Sequence, residues 1–223
     1  MLTFHRHSKS GDDTVGIAID HLVIAGWAGR DEAAIQHHIE ELAAIGVPRP
    51  SSVPVFYRVG AATLTQTESL EALGPDSSGE VEPVIVAMAD GLWLGIGSDH
   101  TDRKAETVGI ALSKQLCGKV VGHDLWPLSE LAGHWDRIEM RSWALIDGQR
   151  VPYQNGTLSA LRMPSDLIAR YGALQPGSLM FGGTLGAIGG IRPAARFEMM
   201  LYDPVMDRTM THAYDIKALP IVA

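Results

Sequence analysis

The chain has 223 residues, 46% of them apolar and 20% charged, with 18 Lys and Arg against 26 Asp and Glu, a formal net charge of −8. That length suits one domain, or one core with a small N-terminal appendage, and is enough to bury a sizeable apolar interior. The acidic balance excludes broad electrostatic capture of nucleic acid or anionic lipid, which needs clustered Lys and Arg, but leaves room for a local basic pocket holding a small anion. Cys117 is the single cysteine, so no intrachain disulfide can form, a usage that fits a reducing compartment. The N-terminal MLTFHRHSKSGDDT lacks the apolar core of a signal peptide. No apolar run approaches the ~20 residues of a membrane span. These features predict a cytoplasmic protein with no nucleic-acid or membrane partner.

In chain order, Val15 to Gly26 reads as one strand or two short ones. Ile35, Ile39, Leu42 and Ile45 then recur at helical spacing across Asp31 to Ile45, a stripe closed by Gly46 and Pro48. Val53 to Val59 reads as a strand. Gly74 to Gly79 (GPDSSG) carries turn formers throughout and reads as a linker. It divides the chain into a small N-terminal region, 1–75, and a strand-rich domain, 76–223. Glu80 to Asp99 reads as a hairpin turning at Asp90-Gly91. Asp102 to Leu116 is expected as a helix with Ala105, Val108 and Leu112 on one face. Glu139 to Arg150 reads as a strand ending at Asp147-Gly148. Ser165 to Tyr171 follows as a short helix, preceded by Pro164 and capped by Ser165. Ser178–Thr184, Arg196–Tyr202 and Thr209–Ile216 complete a strand-rich set with three or four helices. The fold class is α+β.

The sharpest chemistry lies between Ser78 and Arg103. Glu80 and Glu82 are two apart, so in a strand they share a face. A turn at Asp90-Gly91 would set Glu82 opposite Asp99, with Cβ atoms about 4.5–5.5 Å apart. Pro83 lies where such a ladder calls for a backbone donor, so the pairing should fray or bulge there. Three converging carboxylates either take up protons, share a hard divalent cation, or do no more than solvate a strand end. Arg103, Lys114 and Lys119 follow closely. On a helix starting near Asp102, Arg103 and Lys114 would share a face, either holding a substrate anion or serving as surface charge. Ser178 to Gly190 is rich in glycine without the dinucleotide-binding pattern. Neither GxSxG nor HExxH occurs. His37, His38 and His100 are the histidines considered for general-base work; His100, next to Asp99, should point to the opposite face.

Read together, these segments resemble the fumarylacetoacetate hydrolase superfamily. Glu80-Val81-Glu82 resembles its E-x-E metal motif, and Ser98 to Lys104 (SDHTDRK) its NDVSARD motif. Ser113-Lys114-Gln115 is similar to its lysine segment K-S-F-D, and Trp126-Pro127 to its G-P-W. Tyr153 to Ile168 looks like the family's stretch leading into a short helix. Pro176 to Gly189 (PGSLMFGGTLGAIG) resembles P-G-D-V-I-x-T-G-T-P-x-G-V-G. The match runs from about Gly79 to Gly189 and looks most like a distant branch of unknown function. The family's helical insertion between E-x-E and the Asp is absent here, Leu185 stands in place of Pro, and no match is found for the His-Glu pair that activates water.

The resemblance implies a mixed β-roll catalytic domain with a small N-terminal α+β region, a bound Mg²⁺ or Mn²⁺ (an all-oxygen set also suits Ca²⁺), and a homodimer. Glu80, Glu82 and Asp99 take the metal-ligand places, and Lys114 that of the lysine contacting the reacting oxygen. Gly183 and Thr184 take those of the substrate-binding Gly-Thr, and Arg103 that of a substrate-facing or structural arginine. The implied activity is hydrolysis of a C–C bond in a small oxo or diketo carboxylic acid. The alternatives are decarboxylation or tautomerisation of a related acid, or a module that binds oxo acids without turnover.

Overall fold

The computed structural model describes residues 1–44 and 49–222. The chain opens with the hairpin β1 (Leu2–Ser8) and β2 (Gly11–Ile17), then β3 (His21–Gly26), so 15–26 contributes to two strands. Helix α1 (Glu32–Ala44) follows; Ile45, Gly46 and Pro48, expected at its close, lie outside the described residues. Strands β4 (Val55–Val59), β5 (Leu64–Thr65), β6 (Ser69–Leu73) and β7 (Ser77–Ser78) lead into the long hairpin β8 (Val81–Met88) and β9 (Gly91–Ser98). Next come β10 (Thr101–Asp102), the short helices α2 (Arg103–Glu106) and α3 (Ile110–Gln115), β11 (Lys119–Val121), β12 (Asp124–Pro127) and the single turn α4 (Leu128–Leu131). A second hairpin, β13 (Glu139–Ile146) and β14 (Gln149–Thr157), turns at Asp147-Gly148 as the sequence predicts. Helix α5 (Pro164–Tyr171), β15 (Ser178–Phe181) and the hairpin β16 (Arg196–Asp203) and β17 (Arg208–Leu219) complete an α+β fold.

Ten strands form a mixed sheet along β2-β1-β12-β9-β8-β15-β3-β4, with β11 linking β9 to β5; β14-β13-β16-β17-β6 form a second sheet. Strands from before residue 75 enter both: β3 runs parallel to β15 in the first, and β6 runs parallel to β17 in the second. Every residue of β8 is buried, which explains an apolar run with no alternation. Val84 and Val86 pack with Phe4, Leu22 and Phe181, while Ile85, Leu94 and Ile96 pack with Trp126, Tyr153, Phe197 and Tyr214.

Several local expectations are corrected. The 74–79 segment is not a linker: Ser77 and Ser78 are buried and pair with Asp102 and Thr101. The β8–β9 hairpin turns at Ala89-Asp90, so Glu82 opposes Gly97, not Asp99. Asp99 N instead donates to Glu80 O at 3.0 Å. A slip of two residues leaves every side chain on its original face, so the carboxylates still converge. The ladder also runs through Pro83 unbroken. Because the 80/99 pair carries the interstrand bond, alternation turns Pro83 away from β9. Its carbonyl accepts from Gly182 N at 2.9 Å, and no donor to β9 is called for.

Residues 102–116 form two helices with Gly109 between them, not one, so Arg103 and Lys114 do not share a helix face. The expected apolar face is turned outward, with Val108 79% and Leu112 47% exposed, while Ser113 and Lys114 are buried. Pro164 occupies the first turn of α5, and Met163, not Ser165, is its N-cap.

One close approach places the acidic segment against the second sheet. A Cβ on Gly79 would lie 2.7 Å from the Phe197 ring, which is itself held between Tyr153 and Tyr214 at centroid distances of 5.8 and 5.9 Å. Gly79→Ala is expected to destabilise the protein by about 1–3 kcal/mol, the usual scale of overpacking, seen as a lower urea midpoint with an unchanged m-value. An unchanged midpoint would mean that Phe197 yields freely.

Candidate metal centre

Glu80 sits at the entry to β8, Glu82 is its second residue, and Asp99 directly follows β9. Carboxylate oxygens from the three lie within 4.8 Å of one another. Glu82 is buried, and its Oε2 accepts a hydrogen bond from Gly183 N at 2.8 Å. Gly183 adopts φ +96°, and a Cβ there would lie 2.7 Å from that of Ala28, so glycine is required for this approach. Asp99, fully buried, is gripped by two ammonium groups: Lys114 donates to Oδ2, and Lys119 Nζ stands 2.8 Å from Oδ1. Both oxygens of Asp99 thus face a buried ammonium group. Glu80 faces Arg103 Nη2 at 3.1 Å and Lys114 Nζ at 3.9 Å.

Compensation across the trio is uneven. Burial pushes the Asp99 pKa up, but Lys114 and Lys119 outweigh it and hold the group below the usual carboxylate range. Burial pulls the Lys114 pKa down, yet Asp99, Glu80 and Glu82 more than reverse this, so its ammonium stays charged. Among the described residues no Lys or Arg pairs with Glu82. Burial, then the charges of Asp99 and Glu80, drive its pKa well above the ordinary value. A buried carboxylate with no paired cation among the described residues, whose oxygens meet those of two further acids, is a donor set suited to a hard divalent ion such as Mg²⁺, Mn²⁺ or Ca²⁺. The residues present fit that group.

The other candidates divide between framework and rim. Arg103 Nε donates to Ser78 Oγ at 2.7 Å and Nη1 to Glu106 at 3.1 Å, so this guanidinium braces Glu80. The Thr184 hydroxyl donates to Val81 O at 2.8 Å and accepts from Gln154 Nε2 at 2.6 Å. Gln154 Oε1 in turn accepts from Val81 N at 3.0 Å and Ser142 Oγ at 2.9 Å. This buried amide ties the Gly-Thr loop to β8, and sequence reasoning missed it. Burial raises the Cys117 thiol to about 11, which removes it as a nucleophile at neutral pH. His37 lies on α1; the side chain of His38 lies outside the described residues.

His100 turns away from the trio into a buried hydrogen-bond chain. Tyr214 OH donates to Ser98 Oγ at 2.8 Å, and that oxygen also accepts from Glu80 N at 3.2 Å. His100 Nδ1 therefore donates to Tyr214 at 2.9 Å, and Nε2 accepts from the Ser77 hydroxyl at 2.9 Å. Burial, with Lys119 and Arg103 nearby, lowers the imidazole pKa to about 3, so the ring is neutral.

Glu82 fixes the sign of a pH effect. Its folded-state pKa is raised, so without metal its contribution to stability is lost as pH rises above the ordinary glutamate range and the buried group must ionise. A divalent cation offsets that cost and competes with the proton. The gain in Tm on adding Mn²⁺ is expected to grow from mildly acidic to neutral pH, and Glu82→Gln to abolish it. A gain that ignores pH, or survives in Glu82→Gln, would remove the trio as the metal site.

No curated protein matches the sequence. Among solved structures, Cg1458 with inhibitor aligns over 94% of this chain and 81% of its own, at a TM-score of 0.66 and 15% identity. A candidate fumarylacetoacetate isomerase/hydrolase from Oleispira antarctica aligns over 94% and 98%, at 0.62 and 18%. The 2-keto-3-deoxy-D-arabinonate dehydratase complexed with magnesium and 2,5-dioxopentanoate aligns over 95% and 78%, at 0.60 and 12%. At these identities the likeness is one of fold: the chain has the fumarylacetoacetate hydrolase-like architecture. Residues 25–214, most of the chain, match the family model described as Protein of unknown function (DUF2848), and the chain belongs to that family.

Proposed function

We propose that this protein is a divalent-metal-dependent enzyme acting on a small oxo or diketo carboxylic acid. The carrying observation is the buried trio with Lys114 beside it: an under-compensated acidic set for a cation, next to a permanent positive charge. Glu80, Glu82 and Asp99 would hold Mg²⁺ or Mn²⁺. When bound, such an ion supplies Lewis-acid polarisation of paired substrate oxygens. Lys114, held charged by its acidic neighbours, is unsuited to removing a proton. Its role is to stabilise the negative charge that builds on the substrate's enolate oxygen. Gly183 and Thr184 line the same end of β15 and border the substrate, their positions set by Glu82, Val81 and Gln154.

Hydrolysis of a C–C bond is the reaction supported by the motif resemblance. Decarboxylation or tautomerisation of a related oxo acid is the second reading. It is favoured by His100, whose ring is committed to Tyr214 and Ser77 and so withdrawn from activating water. The homodimer implied by the resemblance belongs to the same proposal. Turnover of diketo and oxo acids by the Mn²⁺-loaded protein, with product analysis, separates the reactions. Oxalate binding with no turnover of any such acid would instead assign a binding module.

Lys114→Met keeps most of the stem and removes the charge. It is expected to lower kcat roughly a hundredfold or more, the scale of losing one oxyanion-stabilising donor, while the Mn²⁺-dependent Tm gain persists. Wild-type turnover in this variant would end the catalytic role of Lys114.

A further inference from the structure

Tyr57 brings an aromatic ring to Lys114 that the mechanism above does not use. It lies on β4, diagonal to Gly26 at the end of β3. A Cβ on Gly26 would stand 2.7 Å from Tyr57 Cε2, so the absent side chain is what lets the ring lie there. The Lys114 ammonium is 5.8 Å from the ring centroid, within reach of a cation–π contact. Two residues beyond Gly26, Ala28 abuts Gly183, whose N–H holds Glu82.

The segment Gly26-Trp27-Ala28 is thus flanked on one side by Tyr57, whose ring faces Lys114, and on the other by Gly183, whose N–H holds Glu82. Between them Trp27 holds φ +55°, a backbone state that is strained for an aromatic residue. Such strain persists where the surroundings impose it, here between the two flanks of the acidic trio. Tyr57 is half-buried, and among the described residues its hydroxyl makes no hydrogen bond. Burial raises the phenol pKa, with Lys114 opposing and Glu106 and Asp99 reinforcing the rise. The O–H therefore keeps its proton at neutral pH and remains a donor. A half-buried donor with no acceptor among the described residues, beside a fixed cation, matches an anionic oxygen supplied from outside.

We propose that Tyr57 is a substrate-binding residue, its hydroxyl donating to the carboxylate of the oxo acid whose reacting oxygen faces Lys114. This rests on the function proposed above. The competing role is structural, with the ring only covering the Lys114 ammonium; Tyr57→Phe separates the two because it keeps the ring and removes the donor. The probe is oxalate, a planar dianion with paired oxygens, titrated calorimetrically into Mn²⁺-loaded protein. Tyr57→Phe is expected to weaken oxalate binding tenfold or more, about the loss of one hydrogen bond to a charged group, with Mn²⁺ affinity and metal-free Tm unchanged. Equal oxalate affinity in Tyr57→Phe and wild type would overturn the assignment while leaving the proposed function standing. A matching loss of Mn²⁺ affinity would overturn it in favour of the structural role. Failure of the Mn²⁺-loaded wild type to bind oxalate at all would overturn the function, and the role of Tyr57 with it.

Discussion

A carboxylate buried as completely as Asp99 stays charged in the fold only if positive charge is buried with it. Much of the architecture around residues 98–120 follows from that demand. Lys114 must reach inward, so α3 presents its polar side to the interior and leaves Leu112 and Leu116 on the surface. Lys119 must do the same from β11, where its ammonium also donates to His100 O. Between Asp99 and Lys119 the chain breaks into two short helices, and Lys114 from α3 and Lys119 from β11 meet on one acid. A long amphipathic helix packed by its apolar stripe could not do this.

The same demand is met only in part at Glu82. One backbone N–H is a small compensation for a charge placed between two other acids. The contrast between neighbours, Asp99 over-supplied with cations and Glu82 under-supplied, gives the centre its directionality. Positive charge from the protein is gathered at Asp99 and Glu80, while Glu82 keeps only the Gly183 N–H. The framework behind is correspondingly stiff. Arg103 is locked among Ser78, Glu80 and Glu106, and Gln154 is satisfied by four partners drawn from β8, β13 and the Gly-Thr loop.

Much of this was legible in the sequence because it is local. The two-residue spacing of Glu80 and Glu82, the tight hairpin and the position of Asp99 place three acids together with no knowledge of the rest of the chain. The turn itself was misplaced by one residue for a non-local reason. The Asp90 carboxylate is held by Arg6 from β1 and by Trp93 Nε1, contacts that fix Ala89-Asp90 as the turn. The inward face of α3 was hidden in the same way, since apolar spacing predicts burial unless a buried counter-charge is known to exist. Gln154 carries no signature at all: a fully satisfied amide becomes functional only when its four partners are folded around it. Tyr57 carries no local signal, because its place depends on the space that Gly26 leaves for the ring.

The hydrogen-bond chain through Ser77, His100, Tyr214 and Ser98 has a fixed polarity, and this has an experimental use. Each link has one donor and one acceptor, so the imidazole is confined to a single tautomer and the phenol proton to a single direction. Both protons are sealed from water directly behind the acidic trio. Protons held in this way exchange with solvent slowly enough to give resolved resonances far from the crowded amide region. The protein thus carries a native spectroscopic reporter, set one residue from Asp99 and sensitive to small displacements of the strand that bears it.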